Sequence, residues 1–381
     1  MQSEFQETQQ ESLRWKQASW LMLLAGLLLS GLGWWHAGQR LQRDANAAFA
    51  ADARELALHL DQLVDHHLDV LVSFQSMFAV NGQVSRKTFH EHYRNLHAES
   101  EYPALLAVQY APLLKHSEKA AFEAQMRDDR SVAPEGYPDF RVHPAGERAD
   151  YMPIAYLEPM ARNRSAFGYD PAQSVVHRAL MEKARDSGAM QVSPPIQLIQ
   201  GGKDPLGLVV RLPVYRHGDR PQTVAGRRAA FQGLVSGAIR MSDLVAQADN
   251  GAVWQHLHLR IDDPAADTPT LFDSARLPKA LRPLADSDPS DVQVHSLEVA
   301  GRHWRLQFTR APVQALAQAY PLALLLGGGG FTLAICLMMR SAAGRHARAA
   351  EMAQRMSKQA RDSEQRLRSV VDHTVDGILT V

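Results

Sequence analysis

The chain has 381 residues, enough for two or three domains, and its 41 Lys+Arg are balanced by 41 Asp+Glu. A net charge of zero gives no electrostatic footprint for a nucleic-acid partner. A single cysteine, Cys336, excludes a disulfide framework.

From Gln17 to Gln39 there is no Asp, Glu, Lys or Arg, and the centre reads WLMLLAGLLLSGLGWW. This stretch is long enough to cross a hydrocarbon core, which takes about 20 apolar residues, and Trp20, Trp34 and Trp35 fall near its ends, where indoles favour the membrane interface. A cleaved signal peptide would have a shorter apolar core ending in small residues, whereas this run closes on WWHAGQ; the segment reads as an uncleaved anchor.

Between Gly38 and Gly82 there is neither glycine nor proline, so residues 39–81 are expected to form one helix of about 64 Å. Leu56, Leu60, Leu63, Val70, Leu71, Phe74, Met77 and Phe78 recur at three- and four-residue steps, the pattern of a stalk packed along one side.

From about Pro103 the character changes to short β-type runs broken by Pro, Gly and Asp. ALLAVQYAPLL, IQLIQ, LGLVVRLPVY and LVSGAIRM read as strands; AFEAQMRDD and QSVVHRALMEKARDSG read as helices, the latter stopping at Ser187-Gly188. VQVHSLEVAGRHWRLQF reads as a hairpin turning at Ala300-Gly301. The expected fold class is α+β: a long stalk helix carrying two antiparallel-sheet modules, flanked by two transmembrane helices.

The second uncharged segment runs from Ala311 to Met339. Its four glycines, Gly327 to Gly330, are either a close-approach face for a second copy or simply tolerated in a bilayer. Residues 340–368 carry eight Lys/Arg against Glu351, Asp362 and Glu364, which places the C-terminal side in the cytoplasm and, with two spans, residues 40–310 outside. With no proline after Pro321, the second apolar helix is expected to continue to residue 375, with Ala349, Met352, Met356, Gln359 and Ser363 forming either a weak dimer seam or a solvated face.

Seventeen histidines invite a metal reading. His66 and His67 are adjacent on the stalk and point about 100° apart, so they cannot chelate one ion. His90-Glu91-His92 forms no HExxH pair, and His256 and His258 have no third ligand at a recognisable spacing. No GxSxG, phosphate loop or CxxC is present. No catalytic, metal or cofactor site is assigned.

Several ordered matches do carry a resemblance. Tyr110, Pro112, Phe122, Glu123, Phe140, Pro144, Glu158-Pro159, Asn163, Gly168, Asp170, Arg178, Arg185, Gly188, Leu198, Gly207, Pro213 and Tyr215 resemble the CHASE family of extracellular sensor domains over roughly residues 80–310. The resemblance implies PAS-like modules on the stalk, a small-molecule ligand in the membrane-distal module, and signalling as a homodimer. In plant members an aspartate hydrogen-bonds an adenine-type cytokinin; its place falls at Glu158-Pro159, and that of a supporting threonine near Ser193. The Glu-Pro…Asn…Gly-Tyr-Asp order is similar to the bacterial branch instead. Candidate ligand contacts on this basis are Glu158, Asn163, Tyr156, Phe167, Asp170, Ser193 and Leu198. Read without the family, Glu158 and Asn163 lie in a loop after strand-like PIAY, where binding groups often sit, while Asn163 and Asp170 equally suit turn caps.

The last residues, RLRSVVDHTVDGILTV, resemble the opening of a cytoplasmic PAS domain through Leu367, Val370, Val371, Asp376, Gly377 and Ile378, with a strand beginning after the Asp-Gly turn. The chain then reads as a piece of a longer receptor of the bacterial inner membrane. Its expected parts are a cytoplasmic N-terminus (1–16), first span (17–39), stalk (40–80), sensor (81–310), second span (311–339), signalling helix (340–365) and PAS opening (366–381). By resemblance the output is a histidine kinase or a cyclic-di-GMP synthase or hydrolase. The competing reading is a membrane-tethered solute-binding protein without output.

Overall fold

The computed structural model describes residues 2–198, 206–216, 221–248, 257–276, 292–310 and 315–378. Two compact units emerge: residues 1–45 with 313–381, and residues 46–312.

The first unit is built from the N-terminal part of α1 (Gln2–Asn81) and from α9 (Ala315–Ile378), both long and apolar enough to cross a membrane. Small residues set their contact. A Cβ on Gly26 would collide with Thr332, and one on Gly328 with Ser30. Gly327 and Gly330 have open space where a Cβ would stand, and a Cβ on Gly329 would make only ordinary contact with Leu27, so of the glycine run it is Gly328 that the close approach to α1 requires. The hydroxyls at this contact are satisfied within their own helices, Ser30 donating to Gly26 O and Thr332 to Gly328 O, each at 2.8 Å. Gly26 and Gly328 thus serve contact between two helices of the same chain. The turn expected at Asp376-Gly377 is absent: α9 continues through both residues to Ile378, and the expected strand residues 379–381 lie outside the described ones.

In the second unit the rest of α1 is followed by α2 (Arg86–Asn95), α3 (Ala98–Glu101), β1 (Leu105–Pro112), β2 (Leu114–Lys115), α4 (Lys119–Asp128), β3 (Asp150–Tyr151), β4 (Tyr156–Glu158), α5 (Met160–Asn163) and α6 (Val175–Ser187). Next come β5 (Gln191–Val192), β6 (Ile196–Gln197), β7 (Leu206–Tyr215), α7 (Val224–Ala230), β8 (Phe231–Arg240) and α8 (Met241–Ala248). β9 (Leu257–Asp262), β10 (Thr270–Asp273), β11 (Val292–Val299) and β12 (Arg302–Arg310) complete it. One antiparallel sheet has the order β4-β1-β8-β7-β5, with β6 also on β7; a second has the order β10-β9-β12-β11; β2 and β3 form a separate ribbon.

Both larger sheets bury a face in one core with α1. Leu56, Leu60, Val70, Leu71, Phe74 and Phe78 are buried, and Leu63 and Met77 pack at its edge, so the stripe read from the sequence is the contact stripe. Against it lie Val108, Leu208, Val210, Leu212 and Val235 of the first sheet and Leu259, Ile261, Trp304, Leu306 and Phe308 of the second. Gly237 on β8 admits the Leu71 side chain, and Gln75 Nε2 donates to Pro213 O at 2.6 Å. The other face of the first sheet is covered too, by the 152–198 region, which explains why nearly every residue of β7 is buried.

Local signals behave as their chemistry requires. α6 ends at Gly188, which is left-handed (φ 67°), as a helix C-terminus favours. The β11–β12 turn places Ala300 and Gly301 at φ 44° and 83°, the mirror-image turn that matches strand twist. One expectation shifts. Glu158 is the last residue of β4 and Asn163 the last of α5, rather than both lying in one loop. α2 was not legible as a helix, although Ser85 caps it by accepting from Thr88 N at 3.1 Å.

Because Leu71 fills the space left by Gly237, the two positions are energetically coupled. Leu71→Ala is expected to lower stability by about 2–5 kcal/mol. Gly237→Ala should destabilise the wild type by crowding Leu71 but do so less in the Leu71→Ala background, a coupling that a double-mutant cycle on urea unfolding of the full chain in detergent would read.

Candidate ligand-binding site

The face of the first sheet turned away from α1 carries a line of polar residues. Register pairs Gln109 of β1 with Ser236 of β8, Ser236 with Arg211 of β7, and Arg211 with Gln191 of β5. Directly opposed residues share a face, so these four side chains form one row across four strands. The next row consists of Ala107, Ala238 and Val209, and Ala111 and Leu234 stand on the far side. A polar row is therefore set between apolar ones, in a place without bulk water.

A cavity of about 120 Å³ opens over this row. Its floor is Gln109, Arg211, Val209 and Ala238. Ile154, Ala166, Tyr169, Pro171 and His177 close it on one side and Ile196, Gln197 and Leu198 on the other.

Arg211 dominates the electrostatics. It is 2% exposed, and its Nε and Nη1 have no hydrogen-bond partner among the described residues. Nη2 reaches His177 Nδ1 at 3.5 Å, a weak contact. Burial lowers the guanidinium to about 10, which leaves it charged at neutral pH. Burial, reinforced by the Arg211 charge, pushes His177 down to about 4 and so leaves it neutral. Ser236 Oγ, next to Arg211 in the row, is also buried without a partner. A buried cation with no counter-charge is destabilising by several kcal/mol in general, and such groups cluster where ligands bind.

Most of the residues nominated from the sequence support this site without lining it. Leu198 lines it. Ser193 Oγ accepts from Val209 N at 3.0 Å and donates to Pro194 O at 2.8 Å, tying the end of β5 to β7. Asp170, fully buried, accepts from Ala172 N (3.0 Å) and Met152 N (3.1 Å) and lies 3.2 Å from Arg148, which fixes the segment presenting Tyr169 and Pro171. Asn163 donates to Leu106 O and Pro159 O at 2.9 and 2.8 Å, pinning α5 to β1. Phe167 packs among Phe140 and Tyr137, and the Arg86 guanidinium lies 4.9 Å from its ring centre. Tyr156 and Glu158 pair with Tyr110 and Val108 and so face α1 and α2, on the other side of the sheet from Arg211. Tyr156 donates to Val84 O at 3.1 Å, and His90 Nδ1 sits 2.9 Å from Glu158 Oε1. Burial raises the Glu158 carboxyl, and His90 opposes that rise.

Arg86 is the other deeply buried arginine. It pairs with Asp129 at 2.8 Å, reaches Met126 Sδ at 3.2 Å, and lies over the rings of Tyr137, Tyr156 and Phe167. The histidines are engaged singly: His258 by Asp273 at 2.9 Å and His92 by Ser73 at 3.0 Å. His256 lies outside the described residues, and among the described ones no three metal-ligating side chains gather.

Sequence reading missed Arg211, Gln109, His177 and Ser236. One signal was available: an arginine at the centre of the apolar run LGLVVRLPVY, where a strand covered on both faces has no place for a free charge.

With the geometry in hand, comparison with known proteins defines the class. This is an extracellular sensing module of the kind used in signalling. The CHASE domain family model matches residues 82–272, half of the chain, and the chain belongs to that family. No curated protein matches it. Among solved structures it is similar to the ligand-binding domain of the Pseudomonas aeruginosa PAO1 amino acid chemoreceptor PctC in complex with GABA, at 12% identity, covering 70% of this chain and 100% of that one, with a TM-score of 0.41. It is also similar to the ligand-binding domain of PctB from the same organism in complex with L-Arg, at 10% identity, covering 74% and 93%, with a TM-score of 0.38. A third, methyl-accepting chemotaxis protein X, is 12% identical, covers 72% and 99%, and has a TM-score of 0.37.

The depressed His177 sets a pH dependence. The folded chain resists protonating it until about pH 4, while the unfolded chain takes the proton near 6.5, so its stabilising contribution is complete above that value and is lost as pH falls through the window. In His177→Gln the stability difference between pH 7 and pH 4.5 should be smaller than in the wild type, as read by thermal unfolding at the two pH values.

Proposed function

We propose that residues 46–310 sense a small molecule outside the cell membrane and that the remainder passes the result inward. The observation that carries the reading is the cavity over the Gln109–Ser236–Arg211 row, with a charged and unsatisfied guanidinium on its floor. Soluble folding gives no reason to keep that charge there, whereas a ligand does.

The path from ligand to helix is one sheet thick. Arg211 lines the cavity and Ser236 shares its face of the sheet, while their strand neighbours Val210, Leu212, Val235 and Gly237 face α1. A ligand that draws the 154–177 segment onto the floor changes what the opposite face presents to Leu71 and Gln75. For this to switch a receptor the ligand must favour one arrangement, and a hundredfold preference supplies only about 2.7 kcal/mol.

The membrane placement rests on the two apolar helices and on the excess of Lys/Arg in residues 340–368, which assigns that side to the cytoplasm. In this reading the protein works as a homodimer in a bacterial inner membrane. Its second apolar helix continues as a signalling helix into a PAS domain, for which residues 366–381 supply the opening. The output is a histidine kinase or a cyclic-di-GMP enzyme.

The test is a thermal-shift screen of the full chain in lipid nanodiscs against a metabolite library. A ligand at a hundred times its dissociation constant stabilises by about 2.7 kcal/mol. Ile196→Trp, which narrows the cavity from its half-buried rim, should abolish the shift while leaving the ligand-free melting temperature within a few degrees of wild type. A shift that survives this substitution would place the ligand elsewhere.

A further inference from the structure

The chemistry of the cavity names the class of ligand. The inference rests on the sensing role of this cavity and deepens it. We infer that the ligand is a small monocarboxylic acid whose carboxylate lies against the guanidinium of Arg211, beside Ser236 and Gln109, with its other end against the apolar wall.

Charge is the first argument. Among the described residues lining the cavity, Arg211 is the one that carries a formal charge, and no Asp or Glu lines it. Among the described residues, then, nothing on the cavity wall balances this charge, and an anionic occupant does. The donors on Nε and Nη1 are unpartnered on either side of the lightly engaged Nη2, so either edge of the guanidinium can offer a two-pronged fork. That fork matches the spacing of two carboxylate oxygens, and in a site without bulk water a charge-assisted pair of this geometry is among the strongest available.

Valence is the second. One buried cation is neutralised by one anion. A phosphate dianion carries one negative charge more than the single guanidinium balances. A neutral purine, the kind of ligand known for plant relatives, would leave the guanidinium unpaired.

Size and polarity are the third. A cavity of about 120 Å³ holds on the order of ten water-sized positions, so the acid is compact. Ile154, Ala166, Leu198, Val209 and Ala238 make most of its wall apolar, which suits a short aliphatic or aromatic tail and disfavours a second charge.

The experiment compares acids with their amides, which keep shape and lose charge. The full chain in nanodiscs is melted with millimolar propionate, butyrate, valerate or benzoate, and in parallel with propionamide, butyramide, valeramide or benzamide; adenine is included as a neutral purine. At least one acid is expected to raise the melting temperature while its amide does not. Arg211→Met should remove that response and also raise the ligand-free melting temperature, because it replaces an unpaired buried cation by an apolar chain; a purely structural arginine would give the opposite sign. Arg211→Lys, which keeps the charge but not the fork, should weaken binding by about tenfold or more.

An amide or adenine that stabilises as well as the acids, with the effect lost in Ile196→Trp, overturns the acid inference and leaves the sensing role of the cavity standing. An acid shift that persists in Arg211→Met overturns the assignment to Arg211. No shift with any acid, amide or library compound overturns the inference and the sensing role together. The acid–amide comparison on the wild type needs no variant to fold.

Discussion

A strand buried on both faces has no water to satisfy a polar side chain, so each such group must find a partner in the protein or receive one from outside. The six-stranded sheet is in this position: α1 covers one face and the segment from Met152 to Leu198 covers the other. Once both faces are dry, the row Gln109–Ser236–Arg211 becomes energetically conspicuous. The cavity and the depressed His177 both follow from that double covering.

The same constraint explains what could be read from the sequence. The stalk was legible because the 43 residues from 39 to 81, without Gly or Pro and with apolar positions at helical steps, admit few other structures. The strands LGLVVRLPVY and LVSGAIRM, the stop at Gly188 and the turn at Ala300-Gly301 are local chemistry, and each stands where expected. The polar row was not legible, because it exists only through cross-strand register, which sets Gln109 beside Ser236 although they are far apart in the chain. Shifting β7 by one residue would send Arg211 to the other face. At the C-terminal end the expected Asp-Gly turn gave way to a helix that continues through it, which shows how weakly a two-residue turn signal competes with a long run of helix formers.

The family resemblance was informative about the fold, and most of the positions it nominates stand around the cavity rather than in its wall, for a related reason. Its matched positions are rich in residues that shape loops, and the structure finds Asn163, Asp170 and Ser193 holding backbone in place through hydrogen bonds. Residues that set loop geometry keep their type when the ligand changes. Those that touch the ligand have no such reason to do so. Tyr156 and Glu158 illustrate another limit: alternation along a strand sends neighbours to opposite faces, so proximity in sequence to a binding residue says little.

The two buried arginines act as an internal control. Arg86, as secluded as Arg211, has a carboxylate, a thioether and three aromatic rings gathered around it. This chain therefore has the means to silence a guanidinium completely where only architecture is at stake. Among the described residues Arg211 has no such company, so one arginine behaves as a keystone while the other keeps donors free. On the proposed reading, drift around Arg211 would retune which molecules the cavity accepts, while changes around the keystone would be felt as loss of the fold itself.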